Sequence, residues 1–127
     1  MRGVLDTSVF IADEQGRALT AERLPDEAAV SVVTAAELEL GVHLAGSEHV
    51  RARRLRTLQA VQQAYVALPI DAHVASAFAE LVAAARRAGR RPKVQDAWIA
   101  ATARAHGVAV YSQDSDFDDL AVDVVRI

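Results

Sequence analysis

Cysteine is absent from the 127 residues, so neither a disulfide framework nor a thiolate metal site can form. Lysine occurs once, at Lys93, and the remaining basic side chains are arginines. No stretch approaches the roughly 20 apolar residues that a membrane-spanning helix needs. Residues 1–15 are interrupted by Asp6 and Asp13 and lack the apolar core and small-residue cleavage site of a secretion signal. A soluble, cytoplasmic chain with no membrane partner is therefore expected. The length suits one domain, residues 1–127, with its own core.

The formal net charge of −3 argues at first against a nucleic-acid partner. Net charge averages over the surface, however, whereas binding depends on where the charges sit. Two basic clusters stand out: Arg51, Arg53, Arg54 and Arg56, then Arg86, Arg87, Arg90, Arg91 and Lys93. Arginine's planar fork suits bidentate phosphate contacts. Either cluster could equally be a solvated helix face or loop, so both readings stay open.

Short apolar runs alternate with helical patterns along the chain. Strands are expected at Val4–Leu5, Val30–Val33, Tyr65–Ile70, Val108–Tyr111 and Val122–Val125. Helices are expected at Val9–Asp13, from Thr34 to about Ala45, at 48–64, from Asp71 to Gly89, at 94–106 and, briefly, at Asp114–Leu120. Residues 14–28, with Pro25, read as a loop containing a helical turn. Thr34-Ala35-Ala36-Glu37 has the capping-box pattern, Asp71 is a cap before the stripe Val74, Ala77, Phe78 and Leu81, and Gly107 is a C-terminal cap. This alternation predicts an α/β fold: a parallel sheet of four to five strands with helices on both faces.

In such folds ligands bind outside the carboxyl ends of the strands. Asp6 follows strand one, Glu37 sits near the start of the helix after strand two, and Asp114 and Asp116 follow strand four. Asp96 lies in the first turn of the helix leading into strand four, which begins near the same rim. Each acid also has a local explanation: Asp6 and Asp114 as helix caps, Glu37 in a capping box, Asp96 against its helix dipole. Their convergence alters the balance. Carboxylates about 4 Å apart repel by roughly 4 kcal/mol per pair at an effective dielectric of 20. Clustering is strongly unfavourable unless some protonate or a cation binds. The donors are all hard oxygens and no histidine stands at ligand spacing, so the cation expected is Mg²⁺ or Mn²⁺. Such an ion supports hydrolysis of a phosphodiester. Ser8 and Ser112 are close enough in sequence to orient a carboxylate or a water.

Four ordered segments resemble the PIN-domain nucleases, in particular VapC-type toxins of toxin–antitoxin pairs. They are Leu5-Asp6-Thr7-Ser8, Ala36-Glu37-Leu38 with Gly41, the run from Asp96 to Ala103, and Asp114-Ser115-Asp116-Phe117. The resemblance covers nearly the whole chain. It implies Asp6 and Asp96 as principal metal ligands, with Glu37, Asp114 and Asp116 completing the site or binding through water. It further implies cleavage of RNA to 5′-phosphate and 3′-hydroxyl ends, frequent homodimers, and a cognate VapB-type antitoxin whose basic tail can occupy the acidic site. Arg90-Arg91-Pro92-Lys93-Val94-Gln95 is more basic than the family pattern and could touch substrate phosphates.

Two other functions are compatible with parts of the pattern. A phosphatase or phosphoacceptor domain would use Asp6 as nucleophile, but phosphatases of the haloacid-dehalogenase type usually carry a second Asp where Ser8 stands. A catalytically silent module would use the acidic rim only to dock a basic peptide, or would bind RNA without cutting it.

Overall fold

The computed structural model describes residues 1–127. Five strands form one parallel sheet: β1 (Arg2–Leu5), β2 (Glu27–Ser31), β3 (Ala67–Leu68), β4 (Ala109–Ser112) and β5 (Val124–Arg126), in the order β3-β2-β1-β4-β5. The helices are α1 (Thr7–Glu14), α2 (Val32–His43), α3 (Glu48–Ala64), α4 (Ala72–Arg87) and α5 (Val94–Ala105). Two 3₁₀ turns, Ala21–Arg23 and Asp116–Asp119, complete the regular structure.

Alternation along the central strands sorts the core into two layers. Val4 and Val110 point to one face, under Leu81, Ile99 and Phe117 from α4, α5 and the second 3₁₀ turn. Leu5, Val30 and Tyr111 point to the other, under Val9, Leu38 and Leu58 from α1, α2 and α3. The expected α/β class, with helices on both faces, is what is observed. The predicted span of α3 and the Asp71 cap of α4 also hold; Asp71 Oδ1 accepts from the Val74 N–H at 2.9 Å. Gly107 follows α5 with φ of +67°, a conformation that strongly favours glycine.

Three departures from the expected boundaries stand out. The second strand runs earlier than Val30–Val33, because Ser31 stays extended and caps α2, its Oγ accepting from the Val33 N–H at 3.0 Å. The β-branched run Val32-Val33-Thr34 therefore opens a helix, tertiary packing overriding local β preference. The expected strand Tyr65–Ile70 contracts to Ala67–Leu68 at the sheet edge, where Pro69 follows with no N–H to donate. The expected helix Asp114–Leu120 is only the 3₁₀ turn Asp116–Asp119.

Gly3 pairs with Ala109 across the β1–β4 ladder, on the face where the Tyr111 ring lies two residues further on. A Cβ at Gly3 would stand 2.2 Å from Tyr111 Cε1, and Tyr111 is fully buried. Gly3→Ala should cost about 1–3 kcal/mol through overpacking. A lower denaturant midpoint at constant slope is expected; an unchanged midpoint would show that the ring can move aside.

Candidate functional site

Connections from β1 run outward through β2 to β3, then cross back to β4 and outward again to β5. The order therefore reverses between β1 and β4, and a crevice opens beyond their carboxyl ends. Asp6 leaves β1 there, and Ser112, Gln113 and Asp114 leave β4 beside it, with the Asp6 N–H bonded to the Tyr111 carbonyl at 2.9 Å. The middle of α2 delivers Glu37, and the first turn of α5 delivers Asp96. Asp6, Glu37, Asp96, Asp114 and Asp116 all line one cleft of about 290 Å³, together with Thr7, Ser8 and Lys93. All five acids expected on one rim are brought together.

The side chains are held by a layered hydrogen-bond network. Asp6 is almost completely buried. Its Oδ2 accepts from the Ser8 N–H at 3.3 Å, capping α1, and from the Ser112 hydroxyl at 3.1 Å. Ser112 Oγ in turn accepts from the Asp114 N–H at 3.1 Å, and Ser8 Oγ accepts from the Gln113 N–H at 3.0 Å. The two serine hydroxyls lie 3.3 Å apart. Ser8 and Ser112 thus tie the ends of β1 and β4 into one unit around the Asp6 carboxylate. Asp114 Oδ1 accepts from the Asp116 N–H at 3.1 Å, which sets the turn carrying both acids.

Glu37 is not part of a capping box, since Ser31 supplies the cap and α2 starts at Val32. Its Oε1 instead accepts from the Thr7 hydroxyl at 2.7 Å, and Thr7 lies 3.0 Å from the fully buried Thr34 hydroxyl. Sequence reasoning misses the role of Thr7, although this residue stands between Asp6 and Ser8. Lys93, which reads in sequence as one of the arginine cluster, belongs to the acidic cleft: its Nζ donates to Asp116 Oδ2 at 3.0 Å. The available signal is its spacing, about one helical turn before Asp96. Of the first arginine cluster, Arg51 pairs with Glu48 at 2.9 Å, Arg53 with Glu14 at 3.6 Å, and Arg54 donates to the Gly41 carbonyl at 2.7 Å. The Arg51 pair lies within α3, and Arg53 and Arg54 tie that helix to α1 and α2.

Crowding of like charges shows in the acid–base behaviour. Burial, reinforced by the charges of Asp6, Asp116 and Asp114, pushes the Asp96 carboxyl up to about 7, with Lys93 opposing. Asp96 Oδ2 is buried with no hydrogen-bond partner. Burial also raises Asp6, with Asp114 adding and the Ser8 and Ser112 hydrogen bonds opposing. Glu37 is raised by burial and by the Asp6 charge, against its bond from Thr7. An unpartnered carboxylate oxygen on a residue lining a cleft of oxygen donors fits a hard divalent cation. As the side chains stand, no three acids are close enough together to hold a metal ion between them. Mg²⁺ is usually held by only one or two carboxylates and keeps several waters.

This fold and cleft are those of a PIN domain. The PIN domain family profile matches residues 3–123, and the chain belongs to that family, in its VapC branch. Ribonuclease VapC5 of Mycobacterium tuberculosis is 43% identical over 98% of this chain and 95% of its own length. Ribonuclease VapC4 of the same organism is 44% identical over 99% and 97%. The crystal structure of VapBC-5, a member of the VapBC family of toxin–antitoxin systems from M. tuberculosis, superposes with a TM-score of 0.91. That match is at 40% identity and covers 99% of this chain and 98% of the other.

Between the ordinary carboxyl value of 3.8 and about 7, the folded chain keeps a proton on Asp96 that the unfolded chain has lost. Stability should therefore fall as pH rises through that window. In EDTA, the thermal midpoint is expected to drop from pH 5 to pH 8, and Asp96→Asn should flatten the drop and raise the midpoint at pH 8. An equally steep drop in the variant would assign the pH dependence elsewhere.

Proposed function

We propose that the chain is a metal-dependent endoribonuclease acting as the toxin of a toxin–antitoxin pair, with its active site in the acidic cleft. The observation that carries this is the unpartnered, buried oxygen of Asp96, which lines one cleft with Asp6, Glu37, Asp114 and Asp116 at the switch point of the sheet. The VapC relatives supply the reaction class.

In this reading Asp6 and Asp96 hold Mg²⁺ or Mn²⁺, and Glu37, Asp114 and Asp116 complete the site directly or through water. A bound divalent ion supplies charge neutralisation at the phosphodiester and lowers the pKa of water. Ser112 and Ser8 keep Asp6 pointing into the cleft through its Oδ2. Thr7 holds Glu37 at the rim, fixing one acceptor for a proton or a water. Lys93 offers a cation to an incoming phosphate once its bond to Asp116 exchanges. Arg86, Arg90 and Arg91 extend positive charge beyond the cleft along the substrate.

The partner is a cognate VapB-type antitoxin. Leu40 on α2 and Leu44, the residue capping its carboxyl end, are exposed at helical spacing beyond Glu37 and offer an apolar surface leading from the acid cleft. A protein segment with apolar side chains and a basic end would match both features. No helix is long and apolar enough to cross a membrane, consistent with action in the cytoplasm.

Purified chain should cleave RNA in Mg²⁺ or Mn²⁺ and not in EDTA, and Asp6→Asn and Asp96→Asn should each abolish cleavage. Full activity in either variant, in a preparation free of contaminating nuclease, would remove the acidic cleft from the chemistry. Ser112→Ala should keep the fold and lose about 10–100-fold in activity or metal affinity, the range found for groups that orient a ligand. Undiminished metal affinity and activity would reduce Ser112 to a turn residue.

A further inference from the structure

The turn joining α4 to α5 carries a second hollow of about 140 Å³, lined by Arg86, Gly89, Arg90 and Arg91 and by no acid. Arg86 and Arg91 also wall a neighbouring hollow of about 90 Å³, whose other sides include Phe78, Val82, Pro92 and Val94. Val94 is 60% exposed, an apolar side chain left open to solvent. Arg86 and Arg91 form no ion pair, and Arg90 has one, with Asp119 at 3.8 Å.

Three guanidinium groups around one hollow repel one another, and an anion relieves the repulsion. Their planar forks suit phosphate. On the opposite face of the sheet, Arg51, Arg53 and Arg54 are each partnered within the chain. Only Arg56 of that cluster is left unpaired, so most of the uncompensated positive charge of the two clusters lies at the α4–α5 turn. Arg91 precedes Lys93 of the acidic cleft by two residues, a span of at most about 7 Å. The basic hollow and the acidic cleft lie next to each other along one surface.

We propose that this turn forms an RNA subsite flanking the acidic cleft. Arg86, Arg90 and Arg91 grip a backbone phosphate, and the apolar hollow receives the adjoining unpaired base. The subsite rests on the ribonuclease reading and deepens it by naming where the strand passes beyond the cleavage point. An acidic peptide could satisfy the arginines. Single-stranded RNA fits better, because the same two arginines border an apolar surface of the kind that packs against an unpaired base.

The test is binding of a short unstructured RNA oligonucleotide to the full chain in EDTA, across a salt series, followed by cleavage kinetics with Mn²⁺. The double variant R86A/R91A should bind at least tenfold more weakly. Its plot of log affinity against log salt should flatten by about 0.7 for each phosphate that is no longer neutralised. KM should rise while kcat at saturating RNA holds. Val94→Ser should weaken binding several-fold with the salt slope unchanged, since an apolar contact releases no counterion. Arg56→Ala, an exposed arginine on α3 across the sheet, should change neither. Wild-type affinity and slope in R86A/R91A would overturn the subsite, and unchanged binding in Val94→Ser would remove the base from the hollow. If R86A/R91A instead lost only binding to polyglutamate, the turn would be a protein-docking surface. Cleavage by the wild type with unchanged KM in the double variant would sink the subsite and leave the ribonuclease. No cleavage by the wild type, with RNA affinity still lost in the double variant, would do the reverse.

Discussion

Negative charges brought together out of water raise one another's free energy, and in this chain the fold itself enforces the gathering. Parallel strands all end on one side, so residues that leave β1 and β4 must emerge together at the point where the strand order reverses. Asp6 and Asp114 are separated by most of the chain yet are neighbours for this reason. The helices then add Glu37 and Asp96 from opposite faces of the sheet. The penalty is visible in the Asp96 carboxyl, which burial and three nearby acids push up to about 7. Hydrogen bonds from Ser8, Ser112 and Thr7 offset part of it for Asp6 and Glu37. Asp96 Oδ2 has no such relief, and a cation in the cleft would supply it.

Much of this is readable from residue order. Apolar runs alternating with helical periodicity specify a parallel sheet, and that topology alone puts five acids on one rim. The caps at Asp71 and Gly107 are legible because each acts through its own side chain or backbone angle. What escapes depends on neighbours distant in sequence. The pattern from Thr34 to Glu37 reads locally as a capping box, yet Ser31 caps the helix, while Thr34 is buried beside Thr7 and Glu37 faces Asp6. A two-residue edge strand has too little pattern to be delimited, and only pairing with Val30 and Ser31 defines Ala67–Leu68.

The arginines illustrate the same limit. In sequence the two basic clusters look alike. In the fold, Arg51 is occupied by Glu48 of its own helix, while Arg53 and Arg54, held by Glu14 and the Gly41 carbonyl, tie α3 to α1 and α2. The four arginines at the end of α4 are left with a single long ion pair, Arg90 with Asp119. A chain of net charge −3 thereby separates a concentrated negative cleft from an adjacent positive turn. This division lets an acidic protein handle an anionic polymer: the cleft repels phosphate unless a cation is bound, and the turn attracts it.

The most direct measurement of the cleft as a cation site needs no knowledge of the RNA target. The thermal midpoint would be followed at pH 8 while Mn²⁺ or Mg²⁺ is titrated into wild type, Asp6→Asn and Asp96→Asn. Binding to the folded chain alone should raise wild-type stability by about 2.7 kcal/mol at a hundredfold excess over Kd, and the rise should be lost in both variants. A wild-type midpoint indifferent to either metal, or an equal rise in the variants, would contradict a cation held by Asp6 and Asp96.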